Sequence, residues 1–243
     1  MLSAEAVRLL TVELLHPTGT PRDGTFPTLA GPRVFDSRSA TLTELDKERS
    51  YTPILAVYTQ KSSSEISGAA SGFSDTETSV DLVIIAELAV VADDGGGSGT
   101  YVDAMSGSDA ECRLVLAALV AQVRRVLQFS AAGAPWRKLV KQVLQVDEEA
   151  HAIPEFGLRF QRIFCTFKLA IGDDDFDMSQ PGLPEPLKSV AAGLPAGSYA
   201  KAKLEELAFH FAAENPAQLR TVRGDVAGFG RAFQDIGRDD LIP

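Results

Sequence analysis

The stretch VDLVIIAELAVVA (residues 80–92) decides the fold class, because its side chains alternate with the two-residue period of a β-strand. One face of this strand is fully apolar, and the opposite face mixes Asp81 and Glu87 with Val83, Ile85 and Val91. We therefore predict a strand that is packed on one face of a sheet and partly covered on the other. The fully apolar face consists of Val80, Leu82, Ile84, Ala86, Leu88, Val90 and Ala92.

A second strand is predicted over FGLRFQRIFCTFKLAI (156–171), where the odd-numbered positions from 163 onward are apolar. The alternation changes phase near its start, and this predicts a β-bulge near Gln161 or Arg162. We expect a hairpin partner for this strand in 141–149. PILAVYT (53–59) is a further strand by its β-branched and aromatic content.

Two helices are predicted from apolar spacings of three and four residues. The first covers 3–15 with Ser3 as its cap, and the second covers 109–128 with a capping box of Ser108 and Glu111. The fold class is therefore α+β, a small mixed or antiparallel sheet flanked by helices. The buried stripe of the second helix is predicted to be Cys112, Leu116, Leu119, Val120, Val123 and Leu127.

The composition predicts where the chain changes character. Two stretches rich in Ser and Gly, 61–78 and 93–108, read as flexible loops. After residue 172, four aspartates in five residues and then three prolines indicate a solvated linker. We predict an α+β domain over 1–172, an acidic, proline-rich linker over 173–188 and a helical C-terminal extension over 189–243. In that extension Ser198 caps a helix over 199–213, and the polar remainder carries Phe229 and Phe233 as anchors.

Charge and length exclude several classes of protein. The 243 residues are 45% apolar and carry 33 acidic against 23 basic side chains, for a net charge of −10. No apolar run reaches the length of a membrane span, and the first fifteen residues lack the pattern of a signal peptide. The acid excess disfavours tight wrapping of nucleic acid. Two cysteines, Cys112 and Cys165, predict buried thiols in a reducing compartment, and Cys165, inside an apolar stripe, is expected to be inert.

No pattern of residues in the sequence indicates an active site. His16, His151 and His210 each stand without a neighbouring set of metal ligands, and no nucleophile motif or phosphate-binding glycine loop occurs. The run Asp173-Asp174-Asp175-Asp177 lacks the spacing of a calcium loop. We therefore predict no catalytic residue, no cofactor and no metal ligand, and a protein that is not an enzyme.

The order of the segments resembles the tail terminator (tail completion) proteins of tailed bacteriophages. The resemblance rests on GPRVFDSR (31–38), TELDKERSYTPILAVYT (43–59), the acidic end and glycine loop after the strand at 80–92, DAECRLVLAALVAQVRRVL (109–127) and the strand at 156–171. It covers residues 1–172. Residues 173–243 have no counterpart in compact members, which is typical of a longer, contractile-tail type.

This resemblance implies a structural virion protein. Family members form homo-oligomeric, typically hexameric rings on the tail tube protein, stop its polymerisation and present a surface to the head–tail connector or neck. DNA passes through the lumen without specific binding, and no membrane is involved. The C-terminal extension would then contact the tail sheath. The protein would reside in the tail or neck of the virion, and in the host cytoplasm during assembly.

The candidate interface residues lie in three places. Arg33, Asp36 and Arg38 are predicted to be interface or fold-locking charges, and the alternative is a local turn in which Asp36 caps backbone amides. The loop tips, with Phe73, Asp75 and Tyr101, are predicted to contact the tube. Arg124 and Arg125 form either a small basic patch or a solvated helix face.

Three other classes of function stay open at this point. One is another phage ring component, such as a neck, head–tail joining or tube protein. Another is a cytoplasmic small-molecule-binding module or enzyme, whose sign would be a convergent polar pocket with His151 or the aspartate run. The third is a regulatory adaptor that uses the helix at 199–213 as a ligand for a partner's groove.

Overall fold

The computed structural model describes residues 1–21, 24–45, 51–66, 76–93, 100–103, 109–153, 160–177, 179 and 181–211. Its helices are α1 (Leu2–Leu15), α2 (Asp109–Arg124), α3 (Ala134–Leu139), α4 (Leu187–Gly193) and α5 (Tyr199–Ala208). Its strands are β1 (Val34–Asp36), β2 (Thr52–Ile66), β3 (Thr76–Asp93), β4 (Thr100–Asp103), β5 (Val140–Ile153) and β6 (Phe160–Ile171). Short 3₁₀ turns cover Leu42–Glu44 and Phe209–Phe211, and a π turn, Arg125–Phe129, follows α2.

The strands form one mixed sheet in the order β1-β2-β3-β6-β5. Strand β1 runs parallel to β2, whereas every other neighbouring pair is antiparallel. Strand β4 pairs with the end of β3, from Val90 opposite Asp103 to Asp93 opposite Thr100. The predicted α+β class, a small mixed sheet flanked by helices, is therefore confirmed.

Strand β3 is the centre of the sheet, and its predicted apolar face is confirmed from Val80 to Leu88. The five even-numbered residues from Val80 to Leu88 are at most 1% exposed. Their neighbours on β6, from Cys165 to Ile171, are fully buried on the same face, where α1 and α2 pack. The predicted buried stripe of α2 is also confirmed, from Cys112 to Leu127. Ser108 of the expected capping box lies outside the described residues.

The two stretches expected to be loops contain strand. Residues 61–66 and 76–78 extend the β2–β3 hairpin to the pair Ile66 opposite Thr76, and β4 lies inside 93–108. Cross-strand hydroxyl contacts compensate for the few apolar side chains, since the Ser63 and Ser79 Oγ atoms are 2.9 Å apart. The rest of these stretches, 67–75, 94–99 and 104–108, lies outside the described residues.

The hairpin partner predicted over 141–149 is confirmed as β5, but the bulge predicted at Gln161 or Arg162 is wrong. The pairing of β6 with β5 is continuous from Phe160 to Ile171. The irregularities lie instead in β5, between Val140 and Gln142 and between Val143 and Gln145. A bulge in β6 would disturb ladders on both of its sides, whereas β5 has one neighbour in the described part and absorbs an extra residue more easily.

Helix α1 is buried on nearly every side, which a single amphipathic stripe did not predict. It contacts the sheet on one side and α3, α4 and α5 on the other. Polar residues are therefore buried with it, and each needs a partner. Thr11 donates its hydroxyl to the Val7 carbonyl oxygen (2.7 Å) and accepts a hydrogen bond from Nε1 of the fully buried Trp136 (3.1 Å).

Two aspartates of the acidic segment after β6 contact other elements, which the interpretation of this segment as a solvated linker did not predict. The Asp174 carboxylate accepts hydrogen bonds from the backbone N–H groups of Leu2 (2.8 Å) and Ser3 (2.6 Å). It supplies the cap that was predicted for Ser3, because a carboxylate satisfies free N–H groups at a helix N-terminus and the helix dipole favours it. Asp173 accepts from the hydroxyls of Ser64 (3.0 Å) and Thr76 (2.9 Å).

The C-terminal helices belong to the same core as the sheet. Leu187, Leu194, Ala200 and Leu204 lie in one buried cluster with α1, α2 and the sheet. The predicted cap of α5 is confirmed, because the Ser198 Oγ accepts from the Lys201 N–H at 3.3 Å. The helix ends at Ala208 and not at 213, and residues 212–243 lie outside the described part.

Replacing the cap of α1 tests this arrangement. We expect Asp174→Ala to lower the free energy of unfolding by about 0.5–2 kcal/mol, because two N–H groups lose their acceptor. Asp177→Ala is the matched control, since this exposed carboxylate accepts only from Ser179 among the described contacts. Urea unfolding of both variants measures the difference, and equal midpoints would contradict the capping role.

Candidate functional site

Asp36, at the end of β1, joins three elements of the fold. Its carboxylate forms an ion pair with Arg8 of α1 and accepts hydrogen bonds from the Tyr199 hydroxyl (2.9 Å) and the Ser37 hydroxyl (3.2 Å). The chain does turn here, since Ser37 has a φ of 53°. However, the described contacts of the carboxylate are with side chains rather than with the backbone amides of the alternative interpretation. Asp36 therefore ties β1 to α1 and α5.

The network continues from Arg8 along α1. The Arg8 guanidinium donates to Glu5 through two nitrogens, at 2.8 and 2.6 Å, and to the Ser37 hydroxyl at 3.0 Å. Glu5 in turn accepts from the Thr59 hydroxyl of β2 at 2.9 Å. The arrangement locks the helix onto the start of the sheet, because the side chains of Arg8 and Asp36 are only 15% and 10% exposed.

Arg38 and Arg33 are tied to Glu44 in the following 3₁₀ turn. Arg38 makes a bidentate contact with the Glu44 carboxylate, at 2.7 and 3.0 Å, while its guanidinium lies 4.3 Å from the centre of the Phe35 ring. This hydrogen bonding lowers the pKa of Glu44 to about 2. The stabilisation is therefore present above the ordinary pKa of a glutamate and is lost as the pH falls towards 2. Arg33 Nε donates to the Glu44 carbonyl oxygen at 3.2 Å.

The remaining predicted interface residues are Tyr101, Phe73, Asp75, Arg124 and Arg125. Tyr101 lies in β4 opposite Ala92, so its position at a loop tip is wrong. Phe73 and Asp75 lie outside the described residues. Arg124 contacts Glu148 (3.4 Å) and Gln128 (3.4 Å), whereas Arg125 is exposed on the π turn. The contact with Glu148 offsets one of the two charges of the expected basic patch.

One face of the sheet carries no described helix over most of its area. At one end Ala40 and Leu45 cover Phe35, Ile54 and Ala89 in a small second core. Beyond it, the half-buried apolar side chains alternate with ion pairs between strands, such as Glu87 with Arg162 (2.8 Å). The apolar positions on this face are Ala56, Tyr58, Val83, Ile85, Phe164 and Ala170, of which Ala56 and Val83 are buried.

The sheet also has two free edges on opposite sides. In the described part, β5 has no neighbour beyond β6, and its pairing with β6 is regular from Gln145 to Ile153. Among the described strands, β2 is paired with β1 at residues 55–57, and no described strand pairs with its outer edge from Tyr58 to Ile66. Unpaired backbone N–H and C=O groups at such edges are templates for another strand.

An apolar cleft of about 550 Å³ lies between α1, α3 and α4. Glu13 is the buried charge in its wall, and its carboxylate accepts from the Thr18 N–H (2.9 Å), the Thr18 hydroxyl (2.8 Å) and the Ser198 hydroxyl (2.7 Å). Leu10, Leu14, Pro135, Leu139, Val190 and Leu194 provide most of the apolar lining.

The side chains considered as catalytic or metal-binding candidates are not among the residues that line this cleft. His151 is exposed on β5, where its Nε2 lies 3.5 Å from Glu149, and Asp173 and Asp174 are engaged in the contacts described above. Burial, and after it the charge of Glu148, raises the pKa of the Cys165 thiol to about 12, as expected for an inert cysteine. In the part of the chain that the structure describes, no group of three or more His, Cys, Asp or Glu side chains could hold a metal ion.

Sequence reasoning missed four residues that organise these sites: Arg8, Glu13, Asp174 and Tyr199. Glu13 had a usable signal, because an acid among the apolar positions of a short helix needs a buried partner. The partners of Asp174 and Tyr199 lie more than 160 residues away in sequence, and no local pattern identifies them.

The chain matches no protein-family model, and a search of curated proteins finds no significant match. No helix among the described residues is long and apolar enough to cross a membrane.

The charged segment at 33–38 can be tested for its role in the fold. We expect Asp36→Asn to lower the free energy of unfolding by about 1–3 kcal/mol, because it leaves a largely buried guanidinium with one carboxylate fewer. Tyr199→Phe should cost about 0.5–1.5 kcal/mol. Arg38→Ala should cost less than about 1 kcal/mol, because its pair with Glu44 is half exposed. Urea unfolding measures the free energy of unfolding of all three variants. A larger decrease for Arg38→Ala than for Asp36→Asn would contradict the assignment of Asp36 as the stronger contact of this segment.

Proposed function

We propose that this chain is a structural, non-enzymatic ring protein that caps the end of a phage tail tube. In this role it stops tube polymerisation and joins the tail to the head connector, as a component of the tail or neck of the virion. The proposal rests on the order of segments shared with tail terminator proteins. The geometric observation that supports it is the pair of free, unlike edges of one sheet.

Two unlike edges suit a head-to-tail contact between copies. The outer edge of β5 on one copy would meet the outer edge of β2 on the next, and such heterologous contacts close into a ring when the rotation permits. Main-chain hydrogen bonds across the joined edges supply the affinity. A hexameric ring is the stoichiometry that the resemblance favours.

The β2–β3 hairpin suits the contact with the tube. The hairpin has 14 paired positions and ends at Ile66 opposite Thr76. Its last two residues on β3, Thr76 and Glu77, extend past the last residue of β3 that pairs with β6. The segment 67–75, which carries Phe73 and Asp75, joins these ends. We propose this segment as the tube-contacting element of each copy.

The net charge suits a passage for DNA. Six chains at −10 each would carry a total of about −60. Acidic side chains that face a lumen repel the DNA phosphates and let the nucleic acid slide through without adhering. In a contractile tail, the exposed part of the C-terminal extension (189–243) would be the contact for the sheath.

Proline substitutions at the edge of β5 test the ring. In an antiparallel strand, the N–H groups of Glu149 and Ala150 point to opposite sides, one towards β6 and one outwards. We expect Glu149→Pro and Ala150→Pro to differ. The variant whose proline replaces the outward-facing N–H should keep the free energy of unfolding within about 1 kcal/mol of the parent chain and be monomeric. The variant whose proline replaces the N–H towards β6 should be less stable, because it loses a hydrogen bond of the sheet.

Native mass spectrometry of the parent chain and both variants measures the outcome. Rings that persist in the variant that keeps its stability would contradict the edge contact. A parent chain that is monomeric and shows no binding to tail tubes in negative-stain images would overturn the proposed function itself.

The hairpin end provides an independent test. Replacing 67–75 by Asn-Gly joins Ile66 to Thr76 through a two-residue turn, because these residues already face each other. We expect the ring to persist and the capping of tubes to be lost, as measured by tube lengths in assembly reactions. Tubes of normal length with this variant would exclude the hairpin end as the contact.

Particles assembled without the chain separate this function from the other phage ring proteins. Overlong tails are the expected result for a terminator. Tails of normal length without heads would instead identify a head–tail joining protein.

A further inference from the structure

The cleft between α1, α3 and α4 is built for apolar side chains rather than for a small polar molecule. The polar atoms of Glu13 are already engaged by Thr18 and Ser198. Among the lining residues, Lys138 and Ser189 are the other hydrogen-bonding side chains, and both are exposed. A site that orients a small metabolite needs several converging polar groups, and this lining does not offer them.

The rim of the cleft is rigid and concave. Pro17, Pro135, Pro186 and Pro195 stand around it, and proline rings fix the local backbone. The volume of about 550 Å³ is within the range of roughly 300–1,000 Å³ that takes ligands with several rings. Two aromatic side chains with their apolar neighbours fit this description.

The chain carries such a set of side chains beyond the described residues. Val226, Phe229, Phe233 and Ile236 are spaced by three, four and three residues, which is the period of one apolar helix face. Glycines at 224, 228, 230 and 237 weaken an isolated helix, so this pattern needs a surface to pack against.

The distance to the cleft is within reach of this segment. The N-cap of helix α5 is Ser198, which donates a hydrogen bond to Glu13 in the cleft wall, and the ten residues of the helix lead away by about 15 Å. The described chain ends at Phe211, and the fourteen residues from 212 to 225 span up to about 46–50 Å. Attachment to the same chain also gives the segment a high effective concentration at the cleft.

We propose that residues 226–236 dock through Phe229 and Phe233 into the cleft between α1, α3 and α4 of their own chain. The contact would cover the apolar lining. The segment carries Arg231 and Asp235, of which Asp235 would pair with the exposed ammonium group of Lys138 in the cleft lining. This inference does not depend on the ring proposal, because it concerns one chain.

Photo-crosslinking in the full chain tests the docking. Ser189→p-benzoylphenylalanine places the reactive group at the exposed rim of the cleft, and the same replacement of the exposed Gln142 on β5 is the positional control. We expect Ser189 but not Gln142 to crosslink to the peptide that contains Phe229 and Phe233. Phe229→Ala with Phe233→Ala should lower this yield about tenfold or more, whereas Leu219→Ala with Val222→Ala should leave it unchanged.

Three results would overturn the proposal. The first is a crosslink yield from Ser189 that is no greater than that from Gln142, or that persists without the two phenylalanine rings. The second is a crosslink between a ¹⁵N-labelled copy and an unlabelled copy in a mixture of the two, which would show that the segment of a second copy occupies the cleft. The third is a copurified small molecule, seen in native mass spectra, that is retained by the full-length protein.

Discussion

Burial of α1 from two sides connects the first and the last described segments of the chain in one core. The sheet covers one side of the helix and α3, α4 and α5 cover the other. Several polar groups taken inside by this arrangement have specific partners: Asp174 at the N-terminal amides, Trp136 at Thr11, and Ser198 and Thr18 at Glu13. The buried Ser3 hydroxyl has none among the described contacts. The cleft exists because these same elements meet around α1 without filling the space between them.

The interaction surfaces that we propose use different parts of this architecture. The ring contact uses main-chain groups at the two sheet edges, and the tube contact uses the end of the β2–β3 hairpin. The cleft lies among the helices, and its lining is mainly apolar side chains. Assembly through the edges is therefore compatible with a cleft that is filled by its own chain, and the two contacts have separate chemistry.

Local periodicity predicted the parts of the fold whose burial is decided within one segment. The alternation in β3 and β6 and the stripe of α2 identified the buried faces correctly, because each follows from the repeat of a single element. The extended hairpin was missed because Ser and Thr side chains gain their partners only when β2 and β3 lie side by side. The bulges were assigned to β6 because its sequence shows a change of phase, although β5 carries the extra residues.

Long-range contacts explain why the candidate site was predicted only in part. The charges of 33–38 were correctly noticed, but the partners of Asp36 are Arg8, 28 residues before it, and Tyr199, 163 residues after it. The aspartate run was interpreted from its composition, and a run of four acids usually repels itself into solvent. Here Asp173 and Asp174 each accept two hydrogen bonds from groups that approach from other elements.

The burial of α1 has a consequence for biosynthesis. The helix leaves the ribosome before every other described element, yet its outer side is covered by residues near 187–204. At about 5–20 residues per second, these arrive roughly 10–40 seconds later. During that interval Leu10 and Leu14 lack their final neighbours, and the nascent chain presents an apolar surface that chaperones recognise. Completion of this fold is therefore a late event, reached only when translation is close to the end of the described chain.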